Sequence, residues 1–327
     1  MTIQVIGIGN AIMDVIAETD DSTLEKMGIE KGIMQLVERE RAETLYESMS
    51  DRVQAPGGSV ANTIAGIGRL GLSTAFVGKV KDDALGREYV AGMEASGTDF
   101  PNRPSAEAKL PTSRCMVFVS PDGERSMSTY LGAGADLGRD DVPAATFDRG
   151  GIVFLEGYLF DKDEGKTAFS RAAELMHAAG GRAGITLSDP FCAERHRADF
   201  QRLIAGEMDF VIGNEAEWTT LYECDLDTAM SRAAEACRLV ACTRSGDPVI
   251  VVEDGRRIEL PVERVKPVDA TGAGDQFAAG FLYGYAMGRD AETCGRMGVL
   301  AGAEVVGHIG PRPESDLMRA FEAHGLV

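Results

Sequence analysis

Short apolar runs and charged, helix-spaced stretches alternate along most of this 327-residue chain. Ile3 to Ile8 is an apolar run that reads as a strand buried on both faces. After Asp14, Val15-Ile16-Ala17-Glu18 still reads as extended. From about Glu38 to Met49 the pattern turns charged and helical, and the glycine turn Pro56-Gly57-Gly58 follows. Ala61, Ile64, Ala65 and Leu70 then recur at helical spacing, with Ser59 the expected N-cap. A strand at Ser73 to Val77 and a helix at about Asp83 to Ser96 complete a β-α-β-α opening.

The stretch from Thr98 to about Tyr130 differs in character. It holds Pro101, Pro104 and Pro111, then two extended runs, Arg114 to Ser120 and Arg125 to Tyr130, around the hairpin signal Pro121-Asp122-Gly123. It reads as strands inserted into an α/β chain. Beyond it, strands are expected near Ile152 to Leu155, Ala183 to Leu187, Phe210 to Ile212, Leu239 to Cys242 and Val249 to Val252. Helices are expected between them, near Asp163 to Ala179, Arg195 to Ile204, Glu215 to Tyr222 and Asp227 to Arg238. Strands alternating with helices of this length predict an α/β fold with a mostly parallel sheet covered on both faces.

A prior of about 150 residues per domain would allow two domains, but no linker splits the chain, so one domain over 1–327 is expected. Lys and Arg number 33 against 52 Asp and Glu, a net charge of −19. That balance argues against sequence-independent binding to nucleic acid or an anionic membrane, both of which need a basic surface. It does not exclude anionic substrates, which local amides and one or two cations can hold. No run of about 18 apolar residues and no basic-then-apolar leader occurs, and the six cysteines form no C-x-x-C pair. A cytoplasmic protein with reduced thiols is expected. The four histidines have no zinc-site spacing.

Val268-Asp269-Ala270-Thr271-Gly272-Ala273-Gly274-Asp275 is the most informative segment, followed by a small, apolar run that reads as a buried helix. Glycines 272 and 274 allow a tight turn that aims consecutive amides at one point, and amides converging at a helix start form an anion hole. Asp275 falls in the first turn, where the helix dipole favours the ionised carboxylate and makes it a candidate base for a substrate hydroxyl. The bland reading is a capped helix whose aspartate only satisfies the dipole. Two other phosphate motifs fail. Gly66-Ile67-Gly68-Arg69-Leu70-Gly71 follows a helix and precedes a strand, the reverse of the dinucleotide-binding context, and reads as close packing at a helix end. Gly7-x-Gly9 lacks a third glycine, and no G-x-x-x-x-G-K-[ST] is present.

Taken together, these motifs resemble those of the ribokinase-like (PfkB) sugar and nucleoside kinases. Asp269 to Asp275 is similar to the family's C-terminal signature, Gly57-Gly58-Ser59-Val60-Ala61-Asn62 through Gly86 to its N-terminal one, and Asn214-Glu215-Ala216-Glu217 to its N-x-x-E element. Ala270 stands where many members carry threonine. The resemblance implies a three-layer α/β/α domain with a small inserted β lid, built from about 12–37 and about 99–130. It also implies ATP-dependent phosphoryl transfer with Mg2+, Asp275 as base, and the amides around Gly272, Ala273 and Gly274 stabilising charge. An ordinary carboxylate pKa would suffice there, because such transition states are loose.

By the same resemblance Asp14 holds two hydroxyls of a sugar, with Asn10, Gly57, Gly58, Ser59 and Asn62 completing that side of the site. Asn214 and Glu217, expected on one helix face, organise magnesium and its waters, and Thr243, Ser245 and Gly246 form the nucleotide turn. Arg125, in a segment similar to the adenosine kinase branch, is the lid cation. Ile12, Leu36, Met127, Leu131 and Leu159 fall where that branch supplies apolar walls for a purine, although all five could be ordinary core. Glu156 stands where sugar kinases of the family often place a carboxylate. The resemblance thus implies adenosine as acceptor, with a ribokinase- or fructokinase-type sugar kinase and a silent sugar- or nucleoside-binding regulator as alternatives. It leaves monomer or homodimer open, as well as a monovalent cation such as K+ near Asp269 and Gly307-His308-Ile309-Gly310.

Overall fold

The apolar runs form the middle layer of the molecule. Residues 4–262 and 265–327 are described in the structure, a computed structural model. Ile3, the expected start of the first strand, lies outside them, and the strand runs Gln4–Ile8. Among the described residues nine strands make one sheet in the spatial order Arg256–Leu260, Asp247–Glu253, Leu239–Arg244, Phe210–Asn214, Arg182–Thr186, Ile152–Glu156, Gln4–Ile8, Ser73–Val77 and Thr98–Asp99. Seven pair in parallel, while Asp247–Glu253 and Arg256–Leu260 add an antiparallel hairpin at one edge.

Helices cover both faces, because successive strand residues point to opposite sides and both sides are apolar. Phe154 and Phe210 share one core with Val60, Ile64, Phe277 and Phe281 of helices Ser59–Arg69 and Ala273–Ala286. Val153 and Leu155 share the other with Phe169, Phe200 and Trp218. The result is a three-layer α/β/α architecture. Helices Ala291–Val306 and Leu317–Ala323, not read from the sequence, pack behind Ala273–Ala286. Their mixture of small and charged residues gives little apolar contrast. The helix expected near Arg195 is two, Pro190–Arg195 and Arg197–Glu207.

A second, five-stranded sheet has the order Met34–Leu36, Arg125–Tyr130, Ser113–Val119, Ile12–Glu18 and Val53–Gly57. Val53–Gly57 falls outside the bounds expected for the inserted lid. Met13, Val15 and Ala17 are buried with Leu24, Ala42 and Leu45 of the helices behind this sheet, so Ile12, Asp14 and Ile16 turn to its other, half-buried face.

The chain runs outward from Gln4–Ile8 to Thr98–Asp99, then returns to the other side of Gln4–Ile8 with Ile152–Glu156 and proceeds the opposite way. Such a reversal opens a crevice at the carboxyl ends of the two strands. Gly9 to Asp14 leave one strand there, and Glu156 ends the other.

Phe210 is fully buried, stacked on Phe154 with ring centroids 6.0 Å apart, and meets Tyr285 edge-on at 5.3 Å. Phe210→Ala is expected to destabilise the fold by about 3–5 kcal/mol, read as a lower denaturant midpoint at unchanged slope. A loss under about 1 kcal/mol would show that the layers do not depend on this stack.

Candidate active site

Two helix starts, far apart in sequence, meet at the crevice. Gly272 caps helix Ala273–Ala286 at φ 80°, which puts Asp275 in the first turn. The other helix is capped not by Ser59, as expected, but by Gly58 at φ 101°. Glycine is needed there, since a Cβ would also come within 2.4 Å of the Asn10 carbonyl oxygen. Ser59 is thereby the first helical residue, and its hydroxyl is free to donate to Asp275 Oδ1 (2.7 Å). Asn62 Nδ2, one turn on, donates to Asp275 Oδ2 (3.2 Å), and Thr63 Oγ1 donates to the Asp275 carbonyl (3.0 Å).

Asp275 and Asp14 each keep a partial opening to the cleft, but protein surrounds them on most sides. Burial pushes Asp275 up to about 6, against the pull of Ser59, Asn62 and Arg312. Asp275 is therefore not an ordinary carboxylate, because desolvation outweighs the hydrogen bonds and the charge that favour its ionised form. Burial carries Asp14 up to about 7, opposed by Arg312 and Arg125 and helped by the Asp275 charge. Gly57 leaves the room that Asp14 fills, since a Cβ there would lie 2.3 Å from Asp14 Oδ2.

Glu156 does not line the cleft. It is 1% exposed and accepts from Asn10 N (3.1 Å), Asn10 Nδ2 (2.8 Å) and Val60 N (3.0 Å). Its carboxyl is pushed up to about 7 by burial. The sequence-based placement beside the substrate is thus replaced by a supporting one: Glu156 holds Asn10 and the start of helix Ser59–Arg69. Asn10 is 2% exposed, and its Oδ1 has no hydrogen-bond partner.

Along the cleft from Asp275, a cavity of about 150 Å³ is lined by Ser59, Thr186, Ser188, Asn214, Glu217, Thr243 and Gly274 among others. The amides of Gly272, Gly274 and Asp275 make no hydrogen bond among the described residues, whereas Ala273 N is turned back to the Ala270 carbonyl (3.2 Å). Of the three amides expected to form a hole, those of Gly272 and Gly274 are therefore unengaged and that of Ala273 is not. Asn214 and Glu217 do not sit on one helix face. They form a reciprocal cap, with Asn214 N donating to Glu217 Oε2 (2.8 Å) and Glu217 N to Asn214 Oδ1 (2.9 Å). Glu217 is 4% exposed and pushed up to about 7 by burial. No cluster of three His, Cys, Asp or Glu ligands occurs among the described residues. The pair fits a magnesium ion held mostly by water and phosphate, not a protein cage. Thr243 lines the cleft, but Ser245 and Gly246 are exposed in the turn between Leu239–Arg244 and Asp247–Glu253 and are not in its lining.

Arg125 reaches across from the small sheet to Asp269 Oδ2 (2.9 Å), with both side chains under a tenth exposed. Burial would raise Asp269, but the amides of Gly310 and Thr271 together with Arg125 outweigh it and hold the carboxylate below its ordinary range. Ile12 and Met127, half-buried, share the sheet face that carries Asp14, and half-buried Leu131 follows the strand of Met127. Leu36, on the edge strand, is in register with Asp14 across the small sheet through Thr129 and Cys115 and is 55% exposed. Leu159 is corrected, being 2% exposed in the core on the far face of the large sheet. Its neighbour Tyr158 lies nearer the cleft, donating to the Ser188 carbonyl (3.1 Å) within electrostatic reach of Glu217 and Asp275. Arg312 is the other residue missed, because it belongs to neither signature.

A family model described as pfkB family carbohydrate kinase matches residues 5–317. The chain belongs to the PfkB family. PfkB kinases are ATP-dependent phosphotransferases acting on an alcohol group of a carbohydrate or nucleoside. This PfkB kinase is similar to the adenosine kinase of Sinorhizobium meliloti, with 43% identity and a TM-score of 0.90 over 99% of this chain and 100% of that one. It is also similar to a probable sugar kinase from Rhizobium etli, at 40% identity and a TM-score of 0.91 over 100% of both chains. Adenosine kinase 2 of Arabidopsis thaliana is 28% identical over 331 aligned positions, 92% of this chain and 93% of that protein.

The raised carboxyls give the PfkB kinase a pH signature. A group whose folded pKa exceeds its unfolded value takes up protons on folding, so its contribution is largest at low pH and is lost as pH rises. For Asp275 that window runs from 3.8 to about 6. Relative to the wild type, Asp275→Asn should gain in melting temperature between pH 4 and pH 8. A constant difference across that range would mean that the carboxyl is not raised.

Proposed function

We propose that this kinase transfers the γ-phosphoryl group of ATP to the primary hydroxyl of a nucleoside, adenosine first. The observation that carries the reading is the pairing of Asp275, hydrogen-bonded to Ser59 and Asn62 beside free amides, with Asp14 and the partnerless Asn10 Oδ1 nearby. Asp14 accepts hydrogen bonds from a cis-diol, and Asn10 Oδ1 accepts one from a substrate donor, which relieves a buried unpaired acceptor. Asp275 accepts the proton of the attacking hydroxyl. A carboxyl near 6 is ionised at neutral pH yet basic enough to hold that proton. The amides of Gly272 and Gly274 and the guanidinium of Arg125 face the charge on the phosphoryl oxygens. Magnesium, when bound, neutralises the β- and γ-phosphate oxygens, and Asn214 and Glu217 would hold its water shell. The small sheet excludes water from the reacting atoms.

The nucleoside reading draws on the half-buried apolar side chains beside Asp14, which suit a flat base more than a bare sugar. It draws also on Glu156, whose oxygens are occupied by Asn10 and Val60 and are not offered to sugar hydroxyls. The similarity to the Rhizobium etli probable sugar kinase keeps a sugar acceptor as the second reading.

ADP release from adenosine, inosine, guanosine, ribose and fructose, measured side by side with Mg2+ and with or without K+, decides between them. Adenosine is expected to give the highest kcat/KM. A higher value for ribose or fructose would transfer the assignment to a sugar, and ligand-induced stabilisation without ADP release would favour a binding regulator. Asp275→Asn should lower kcat by about 10²–10⁴ with little change in KM, and near-normal turnover would remove its role as base.

A further inference from the structure

Arg312 lies in the loop between helices Ala291–Val306 and Leu317–Ala323 and enters the site from behind. Its Nη2 donates to the Pro56 carbonyl of the small sheet (2.7 Å), and its Nε donates to Asn62 Oδ1 (3.2 Å). The loop is itself anchored. Gln276 Nε2 donates to the Pro311 carbonyl (3.0 Å) and to the Asn62 carbonyl (3.1 Å), and Arg69 donates to the Pro313 carbonyl. Prolines on both sides of Arg312 restrict the backbone further.

An asparagine amide has one accepting and one donating end. With Oδ1 taken by Arg312, Asn62 can present only Nδ2 to Asp275 Oδ2. Turned the other way, its NH2 would face a guanidinium and its oxygen a carboxylate, and both contacts would repel. Arg312 on one end and Asp275 on the other thus fix the amide in the same sense, with Nδ2 toward the carboxylate.

The guanidinium also sits among charges. Asp14 from the small sheet and Asp275 act on it favourably and Arg69 repels it, while Tyr89 of helix Ala84–Ala95, beside it, stays a neutral phenol donating to the Gly57 carbonyl. Arg125 is the second cation acting on Asp14, and buried Glu156 feels the Asp275 charge. Among the influences that draw the Asp14 carboxyl back from the effect of burial, Arg312 is the largest.

We propose that Arg312 is a positioning residue of this kinase, orienting the Asn62 amide toward Asp275 and supplying the positive charge that Asp14 and Asp275 share. The proposal rests on the phosphoryl-transfer reading of the site, so its test includes a measurement that uses no substrate.

Carboxyl carbon-13 NMR titration of the ligand-free full chain, with Asp14→Asn and Asp275→Asn to identify the signals, reads the charge effect directly. In Arg312→Met both midpoints should move up, Asp14 by about one pH unit or more. Unmoved midpoints would overturn the charge role whatever the acceptor proves to be. In turnover with the best acceptor, Arg312→Met should shift the acid limb of the kcat profile upward and regain activity above pH 8. A loss equal at every pH is what a packing defect produces and would also count against it.

Arg312→Lys keeps the charge but not the planar donor pair, so its acid limb should stay near that of the wild type while kcat falls about tenfold. Wild-type kcat in Arg312→Lys would overturn the orienting role. Should Arg312→Met not fold, Arg312→Gln, a neutral donor in the same place, takes its part in both measurements.

Discussion

The close approach of helix Ser59–Arg69 to helix Ala273–Ala286 is the constraint on which the site depends. A Cβ at Gly66 would lie 2.3 Å from Gln276 Oε1 and 3.0 Å from the Ala279 Cβ, so the contact tolerates only glycine. That closeness lets Gln276 tie the two helices through the Asn62 carbonyl and brings Ser59 and Asn62 to the carboxylate of Asp275. The two signature segments are otherwise separated by most of the chain. The same Gly66 belongs to the sequence that mimics a dinucleotide motif, and its work here is packing.

Burial is the second theme. Asp14, Glu156, Glu217 and Asp275 are all drawn up toward neutrality, and in each the leading cause is desolvation. Buried carboxylates oppose folding near neutral pH, and clustering them in a chain of net charge −19 adds repulsion. The compensation is local. Amides and hydroxyls satisfy Glu156, Glu217 and Asp275, while the charges of Arg125 and Arg312 both draw Asp14 back down. Arg125 also joins the small sheet to the loop before helix Ala273–Ala286 through Asp269, so one ion pair links the two parts of the molecule that meet at the crevice.

Much of the fold was legible because buried parallel strands leave unbroken apolar runs. Ser73–Val77 and Glu215–Tyr222 ended where the pattern placed them. Met34–Leu36 and Val53–Gly57 escaped notice, being short edge strands without a continuous apolar face. Motifs located Asp14, Asn62 and Asp275, since glycine turns and helix starts are local features. Partners were less legible than positions. Asn214 and Glu217 were found but taken for neighbours on a helix face, when the helix begins between them and makes them a cap. Leu159 and Tyr158 differ by one residue, and the turn after Ile152–Glu156, which no periodicity encodes, decides which enters the core.

The sequence by itself determined the layer order, the family and the residues able to carry the chemistry, because periodicity, turn glycines and helix caps act over a few residues. Tertiary structure decided what each of those residues faces. Ser59 became a donor to Asp275 and not a cap, Glu156 a support under Asn10 and not a substrate ligand, and Arg312 a member of the site at all. Burial and charge are set by groups brought together across the whole chain, and desolvation by those distant neighbours is what moved the carboxyls from their ordinary values.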